Sequence, residues 1–278
     1  MNPSRKIDLH RRIEQVGELP TLPHVAQKLA SMIGRPNVSA EEIGTLIEKD
    51  QVLSAKVLRL ANSPFYGFPS RIASVAHAVV VLGLNVVKGL TLCATAFDMM
   101  RNAGMNELWR HSLGVAMTAH ILGTKAAMKN PEEVFVAGLL HDIGKVVLYV
   151  KWPDVGQQIT TVTRNTSRPL MDAEQELFEV THADVGGWLA SAWHLPTSLR
   201  EPILHHHTPA AAQDAKLQTA IVHVADVLVK GLACGNPGDD LVPPLSRQAW
   251  DLVGLDAQSL AHCLTQATEE FQTIDDYL

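Results

Sequence analysis

Apolar residues in this chain recur at helical spacing almost from end to end, and the alternation of a half-buried strand is nearly absent. Val25, Leu29, Met32 and Ile33 fit one helix face. Ser39 followed by Glu42 reads as a capping box, with Ile43, Leu46 and Ile47 as the stripe behind it. Leu53, Val57 and Leu60 repeat the pattern until Asn62-Ser63-Pro64 stops it, and residues 65–70, with Gly67 and Pro69, read as a loop. Further helices are expected over 74–82, 86–100, 107–129, 132–150, 155–164, 171–181, 182–193, 198–206 and 217–232. Gly235 to Ser246, with Pro237, Pro243 and Pro244, is linker-like, and Leu260, Leu264, Ala267 and Phe271 mark an amphipathic last helix. The chain is therefore expected to be all-α, with a dozen or so helices and no repeat.

At 278 residues, 46% hydrophobic and 19% charged, it has material for a sizeable core. Gly104 marks a soft division. The expected parts are an N-terminal helical part over 1–103, a second helical part over 104–234, and a linker with a helical tail over 235–278. The most apolar stretch, Ala76 to Ala96, is interrupted by Asn85 and Lys88 and reads as buried helix, not a membrane span. The charged start Met1 to Lys6 does not read as a signal peptide. Cys93, Cys234 and Cys263 are few, odd in number and far apart, which fits a reducing cytoplasm without disulfides. A net charge of −6 disfavours a general nucleic-acid binder, and Lys49, Lys56, Arg59, Arg71 and Lys88 are not densely clustered.

The chemistry concentrates after Gly104. Thirteen histidines are present, clustered in the second half. His141-Asp142, inside Gly138-Leu139-Leu140-His141-Asp142-Ile143-Gly144-Lys145, pairs an imidazole with a carboxylate, a set suited to a hard or borderline divalent cation. Glu107 and His111 stand four apart and share a helix face. His182 opens another helix, and Asp226 is an acid inside an apolar one, costly unless paired or bound to a metal. Of His205, His206 and His207, two at most can face one ion, because successive helical residues diverge by about 100°. Each residue alone has a plainer reading: Glu107 a solvated helix position, His182 a helix start, Asp226 a local pair. His194, before Leu195-Pro196, belongs to a turn, and His120, His223 and His262 read as structural or surface. Lys145 could steady a substrate phosphate or pair with a nearby acid.

The run Gly138 to Lys145, with His111 before it and Asp226 after it, resembles the HD superfamily of metal-dependent phosphohydrolases. That resemblance implies His111, His141, Asp142 and Asp226 as metal ligands. The two-metal branch that includes the HD-GYP phosphodiesterases would add Glu107, His182, His206 and His207. The segment Thr208 to Gln213 has nothing like the DGxGYP run of that branch, so cyclic-di-GMP hydrolysis is poorly supported. Leu19-Pro20-Thr21-Leu22-Pro23-His24-Val25, Ile47-Glu48-Lys49-Asp50, Lys56 to Ser63, Ala78 to Gly83, His182 to Gly186 and Leu204 to Pro209 are similar to the HDOD domain, the HD-related output domain, over roughly residues 15 to 230.

The resemblance implies a multi-helix HD-like bundle with an N-terminal helical subdomain, standing alone without a receiver, kinase or GGDEF segment. It implies a bacterial, cytoplasmic signalling module with one or two divalent ions (Fe, Mn or Mg). It further implies a signalling protein partner and a possible nucleotide or phosphoester ligand, and no membrane. The alternative is a metal-dependent phosphohydrolase acting on a phosphomonoester or nucleotide. Asp142 would then bridge two ions and Lys145 would hold the phosphate.

Overall fold

A computed structural model describes Lys28 and residues 39–62, 70–166 and 168–272. The expected helix of Val25 to Ile33, the loop at Phe65 and the Leu19 to Val25 motif lie outside the described residues. Every regular element among the described residues is helical.

The first described helix, α1 (Ala40–Glu48), starts as the sequence predicts: Ser39 Oγ accepts the Glu42 amide at 3.1 Å. Asp50 does the same for α2 (Gln51–Ala61), accepting from Leu53 N at 3.0 Å. Asn62 then ends α2 and clamps the returning chain. Its amide donates to Leu58 O and Ile72 O, and its oxygen accepts Ile72 N. Ser74 caps α3 (Val75–Leu82), and Gly83, at φ +87°, turns the chain into α4 (Leu84–Asn102). The apolar stretch at Ala76 to Ala96 is thus two helices. The first buries one face only, with Val75 and Ala78 at 0% exposure while Val80 and Val81 face outward at 75% and 42%. No described helix is long and apolar enough to cross a membrane.

After Gly104, at φ +71°, α5 (Asn106–Lys125) is the longest helix among the described residues and the axis of the second half. It stops at Lys125, four residues short of expectation, because Ala127 takes a left-handed conformation (φ +53°). Pro131 opens α6 (Pro131–Leu140) at a position that needs no amide donor.

The helix expected over Glu132 to Val150 is two helices, α6 and α7 (Ile143–Lys151), broken at His141-Asp142. The His141 ring nitrogen Nδ1 donates to the Gly138 carbonyl at 2.6 Å, and Asp142 leaves helical geometry to serve as N-cap of α7. A single helix would send these adjacent side chains about 100° apart; the break lets both enter one centre. Close packing surrounds it. A Cβ on Gly138 would meet Ala116 Cα at 2.9 Å, and one on Gly144 would meet the His182 carbonyl oxygen at 1.9 Å.

The remaining helices are α8 (Pro153–Thr166), α9 (Leu170–Phe178), α10 (His182–Ala192), α11 (Thr197–His205), α12 (Lys216–Gly231), α13 (Arg247–Val253) and α14 (Ala257–Phe271), with a 3₁₀ turn at Pro209–Ala211. Thr181 and Asp184 form a full capping box that fixes the start of α10 at His182. His194 lies in a left-handed turn as expected (φ +50°). The linker-like residues 235–246 have no regular structure and act as a strap. Asn236 N donates to Glu107 O at 3.1 Å, and Asp239 accepts Leu170 N at 2.7 Å. The amphipathic tail helix packs inward through Cys263 and Ala267, which are buried, and Phe271 lies near Gly114 of α5. One continuous core runs from Ile43 to Ala267, and all three cysteines are free and buried within it.

Lys88 of α4 is 2% exposed and donates to the His194 carbonyl at 2.6 Å, tying the first helices to the α10–α11 turn. Burial pulls its ammonium down to about 8 from 10.5. Between those values the unfolded chain binds the proton and the folded chain does not, so stability rises with pH across that window. Relative to Lys88→Met, the native chain should gain about 2 kcal/mol between pH 8 and 10.5 in urea titrations. Gly144→Ala should cost about 3 kcal/mol or more, because its Cβ meets backbone that cannot yield cheaply.

Candidate metal centre

Six side chains from four helices and the α6–α7 break converge at the heart of the second half. His111 comes from α5, His141 and Asp142 from the break, His182 from the first position of α10, His206 from just past α11 and Asp226 from α12. All are at most 1% exposed. His207 joins them at the edge, with its Nε2 at 3.0 Å from that of His182.

The residues form two sets joined by one carboxylate. His111, His141 and Asp226 bring three ligand atoms within 4.8 Å of one another, as do His182, His206 and His207. Asp142 lies between them. Its Oδ2 is 3.3 Å from His141 Nε2 and 3.8 Å from His111 Nε2, while its Oδ1 is 3.3 Å from His182 Nε2 and 3.8 Å from His206 Nε2. On the first side, His111 Nε2 is 3.1 Å from Asp226 Oδ1.

Three rings are held from behind, which fixes the nitrogen they offer. His141 Nδ1 donates to Gly138 O at 2.6 Å, His206 Nδ1 to Ile203 O at 2.9 Å and His182 Nδ1 to Glu174 Oε2 at 2.7 Å. Each Nε2 therefore faces the centre, where a cation would take its lone pair. Burial and neighbouring imidazoles push His206 and His207 well below the usual histidine value, so they stand as neutral donors. Burial alone would raise the Asp142 carboxyl, but His141 and Lys145 outweigh it and hold it well below the carboxylate range. Asp226 is likewise held low against burial, chiefly by His111.

The donor atoms do not satisfy one another. His111 Nε2, His141 Nε2, His206 Nε2, Asp142 Oδ1 and both Asp226 oxygens are buried without a hydrogen-bond partner. So many unpaired buried groups would cost several kcal/mol at about 1–3 each. A divalent cation between them would supply the missing partner; imidazole suits Fe, and carboxylate suits Mn or Mg. The donor set fits a metal.

Lys145 sits in the first turn of α7, 3% exposed, with its ammonium 2.8 Å from Asp142 Oδ2. Of the two readings of this lysine, the structure displays the pairing with an acid. Glu107 is exposed and outside the grouped donors; it lines a neighbouring cleft. His205, half-buried, ends α11 outside the grouped donors.

Two supporting residues escaped the sequence reading. Glu174, fully buried on α9, accepts both the backbone and the ring N–H of His182. The signal was available: Glu174 lies on the apolar face of Leu170, Ala173 and Phe178, an acid as misplaced as Asp226. Glu201 accepts the amides of Gln213, Asp214 and Ala215, fixing the chain after the histidine triplet. His223 is structural, as one of its two expectations had it. It donates through Nδ1 to His206 O and accepts Ser246 N on Nε2, so strap and ligand turn are locked together.

An all-α bundle with a buried His/Asp centre able to hold metal defines the class. The HDOD domain family matches residues 19–209, and the chain belongs to it. A Geobacter sulfurreducens HDOD domain protein of unknown function is similar over 99% of this chain and 98% of its own, with 28% identity and a TM-score of 0.75. A Shewanella amazonensis protein provisionally named a phosphohydrolase shares the fold at TM-score 0.69 and 23% identity, over 97% of both chains. A Marinobacter aquaeolei protein provisionally named for signal transduction shares it at 0.70 and 22%, over 98% of this chain and 65% of its own. Among curated proteins, an uncharacterized protein of Treponema pallidum is 25% identical over 234 residues. The match takes in 82% of this chain, which spans 45% of that relative.

Glu174→Ala should leave the helix content intact yet weaken divalent-metal binding about 10–100-fold in competition with a chromophoric chelator, since His182 loses the acid that orients it.

Proposed function

We propose that this chain is a bacterial regulatory module of signal transduction whose second helical part, within 104–234, holds one or two divalent ions at His111, His141, Asp142, His182, His206, His207 and Asp226. The observation that carries the reading is the set of unpartnered buried donors on either side of Asp142. The ions would be Fe, Mn or Mg, and they would fix the mutual positions of α5, α7, α10, α11 and α12. That state would reach a protein partner through the part over 1–103, for which Lys88 and the His194 carbonyl are a buried link. The strap and tail over 235–278 would brace the ligand turn through His223 and Ser246. The α-helical burial of the donors, each at most 1% exposed except His207, supports a signalling site over one open to bulky substrates.

A second reading, a phosphohydrolase acting on a phosphomonoester or nucleotide, is favoured by one feature. Asp142 faces both histidine sets and Lys145 at once. A bound metal would polarise the phosphate and lower the pKa of a water. Asp142 would hold both halves of the centre in register, and Lys145 would balance charge on the phosphate.

Elemental analysis of untagged protein purified without chelators, with a phosphatase screen in added Mn and Fe, separates the two. The regulatory reading expects one to two ions per chain, lost in His141→Ala, and no turnover. Turnover that disappears in His141→Ala would replace it with the enzymatic reading.

A further inference from the structure

Five of the nine large apolar side chains that stand exposed among the described residues lie between 232 and 252, so the outward apolar surface gathers on the strap and its flanks. Within the strap, Val242 and Leu245 are 53% and 42% exposed and flank Pro243-Pro244. The two prolines fix the form of this run. Each locks its own φ at about −65° and bars the residue before it from helical geometry, so Val242 to Pro244 is extended. Ser246 continues it at φ −67°, ψ 120°. An extended proline segment has three residues per turn and rises about 3.1 Å per residue. Val242 and Leu245, three apart, therefore share one edge, about 9 Å from each other.

Opposite charges bracket this apolar edge. Asp240 stands two residues before Val242 and Arg247 two residues after Leu245, and both are exposed. Asp240 Oδ1 accepts the Asn236 side-chain amide at 2.8 Å. Arg247 meets Asp251 through Nε alone, at 3.1 and 3.2 Å, which leaves its two terminal amino groups as donors. Laid against itself in reverse about Pro243-Pro244, the segment sets Val242 opposite Leu245 and Asp240 opposite Arg247. A second copy related by a two-fold axis presents the segment in that reversed sense. The exposed pair Val80 and Val81 on α3 has no such bracket, since α3 carries no acid, lysine or arginine.

We infer that the strap is a docking surface for a second copy of this chain, paired antiparallel about Pro243-Pro244. Two Val242–Leu245 contacts lie at its centre and two Asp240–Arg247 pairs at its ends. The inference goes beyond the regulatory reading and stands without it, because none of these four side chains belongs to the donor set. Pairing would nonetheless bring the two centres into one assembly. Ser246, inside the paired segment, donates its amide to His223, which holds the His206 carbonyl.

The test is sedimentation velocity of the untagged full chain at concentrations up to about 200 μM, where a small interface of micromolar affinity is populated. A monomer–dimer equilibrium is expected, weakened about tenfold or more in Leu245→Asp. Asp240→Arg and Arg247→Glu should each weaken it roughly three- to tenfold, since the two-fold axis repeats each change. An equimolar mixture of these two variants should recover native pairing, because in the mixed dimer every acid again faces a base. All three positions are exposed, and circular dichroism checks that each variant keeps its helices. A monomer throughout the range, or a dimer indifferent to Leu245→Asp, overturns the inference. So does a dimer lost in Val80→Asp instead, which places the interface on α3. A mixture that recovers nothing removes the antiparallel register and the inference with it.

Discussion

Asp142 is the residue around which the second half is arranged. A carboxylate at 1% exposure is unfavourable by several kcal/mol unless cations or donors surround it. Here His141, Lys145 and His182 lie within 3.3 Å of its oxygens, with His111 and His206 within 3.8 Å. Satisfying it requires α5, α7, α10 and α11 to meet at one point. The glycines allow the approach: Gly138 against Ala116, Gly144 against the His182 carbonyl, Gly235 against the His111 turn. The helix break at His141-Asp142 follows from the same demand, because only a turn delivers both side chains to one side.

Behind the centre stands a layer that touches no candidate ion. Glu174 holds His182, the Gly138 and Ile203 carbonyls hold His141 and His206, and His223 holds the His206 carbonyl. Those bonds turn the rings so that Nε2 faces inward, where a cation would take its lone pair. Arrangement of this kind gains nothing for packing, since an apolar core would be cheaper. It makes sense as a holder for a cation.

Much of this was legible in the sequence. Helical spacing identified the class, and Ser39, Asn62, Gly83, Gly104 and Pro131 act as boundaries for the local reasons their side chains give. The acid in the apolar run at Asp226 pointed to the centre on cost alone. What was hidden depended on tertiary contact. The break at His141 could not be read from a run, Gly138 to Lys145, that is otherwise apolar and helix-compatible. The place of Glu107 could not be read either: four residues before buried His111, it is exposed and lines the neighbouring cleft. Val80 and Val81 look like core by composition, and only the packing of α3 against α1 shows them outward.

The measurement that bears most directly on the account is an anomalous-scattering map of crystals grown with Mn. The account predicts one or two peaks, adjacent to Asp142, with ligands drawn from His111, His141 and Asp226 on one side and His182, His206 and His207 on the other. Full-occupancy protein crystals with no peak there, or with manganese bound only at surface acids, would contradict it and leave the histidine cluster a structural network.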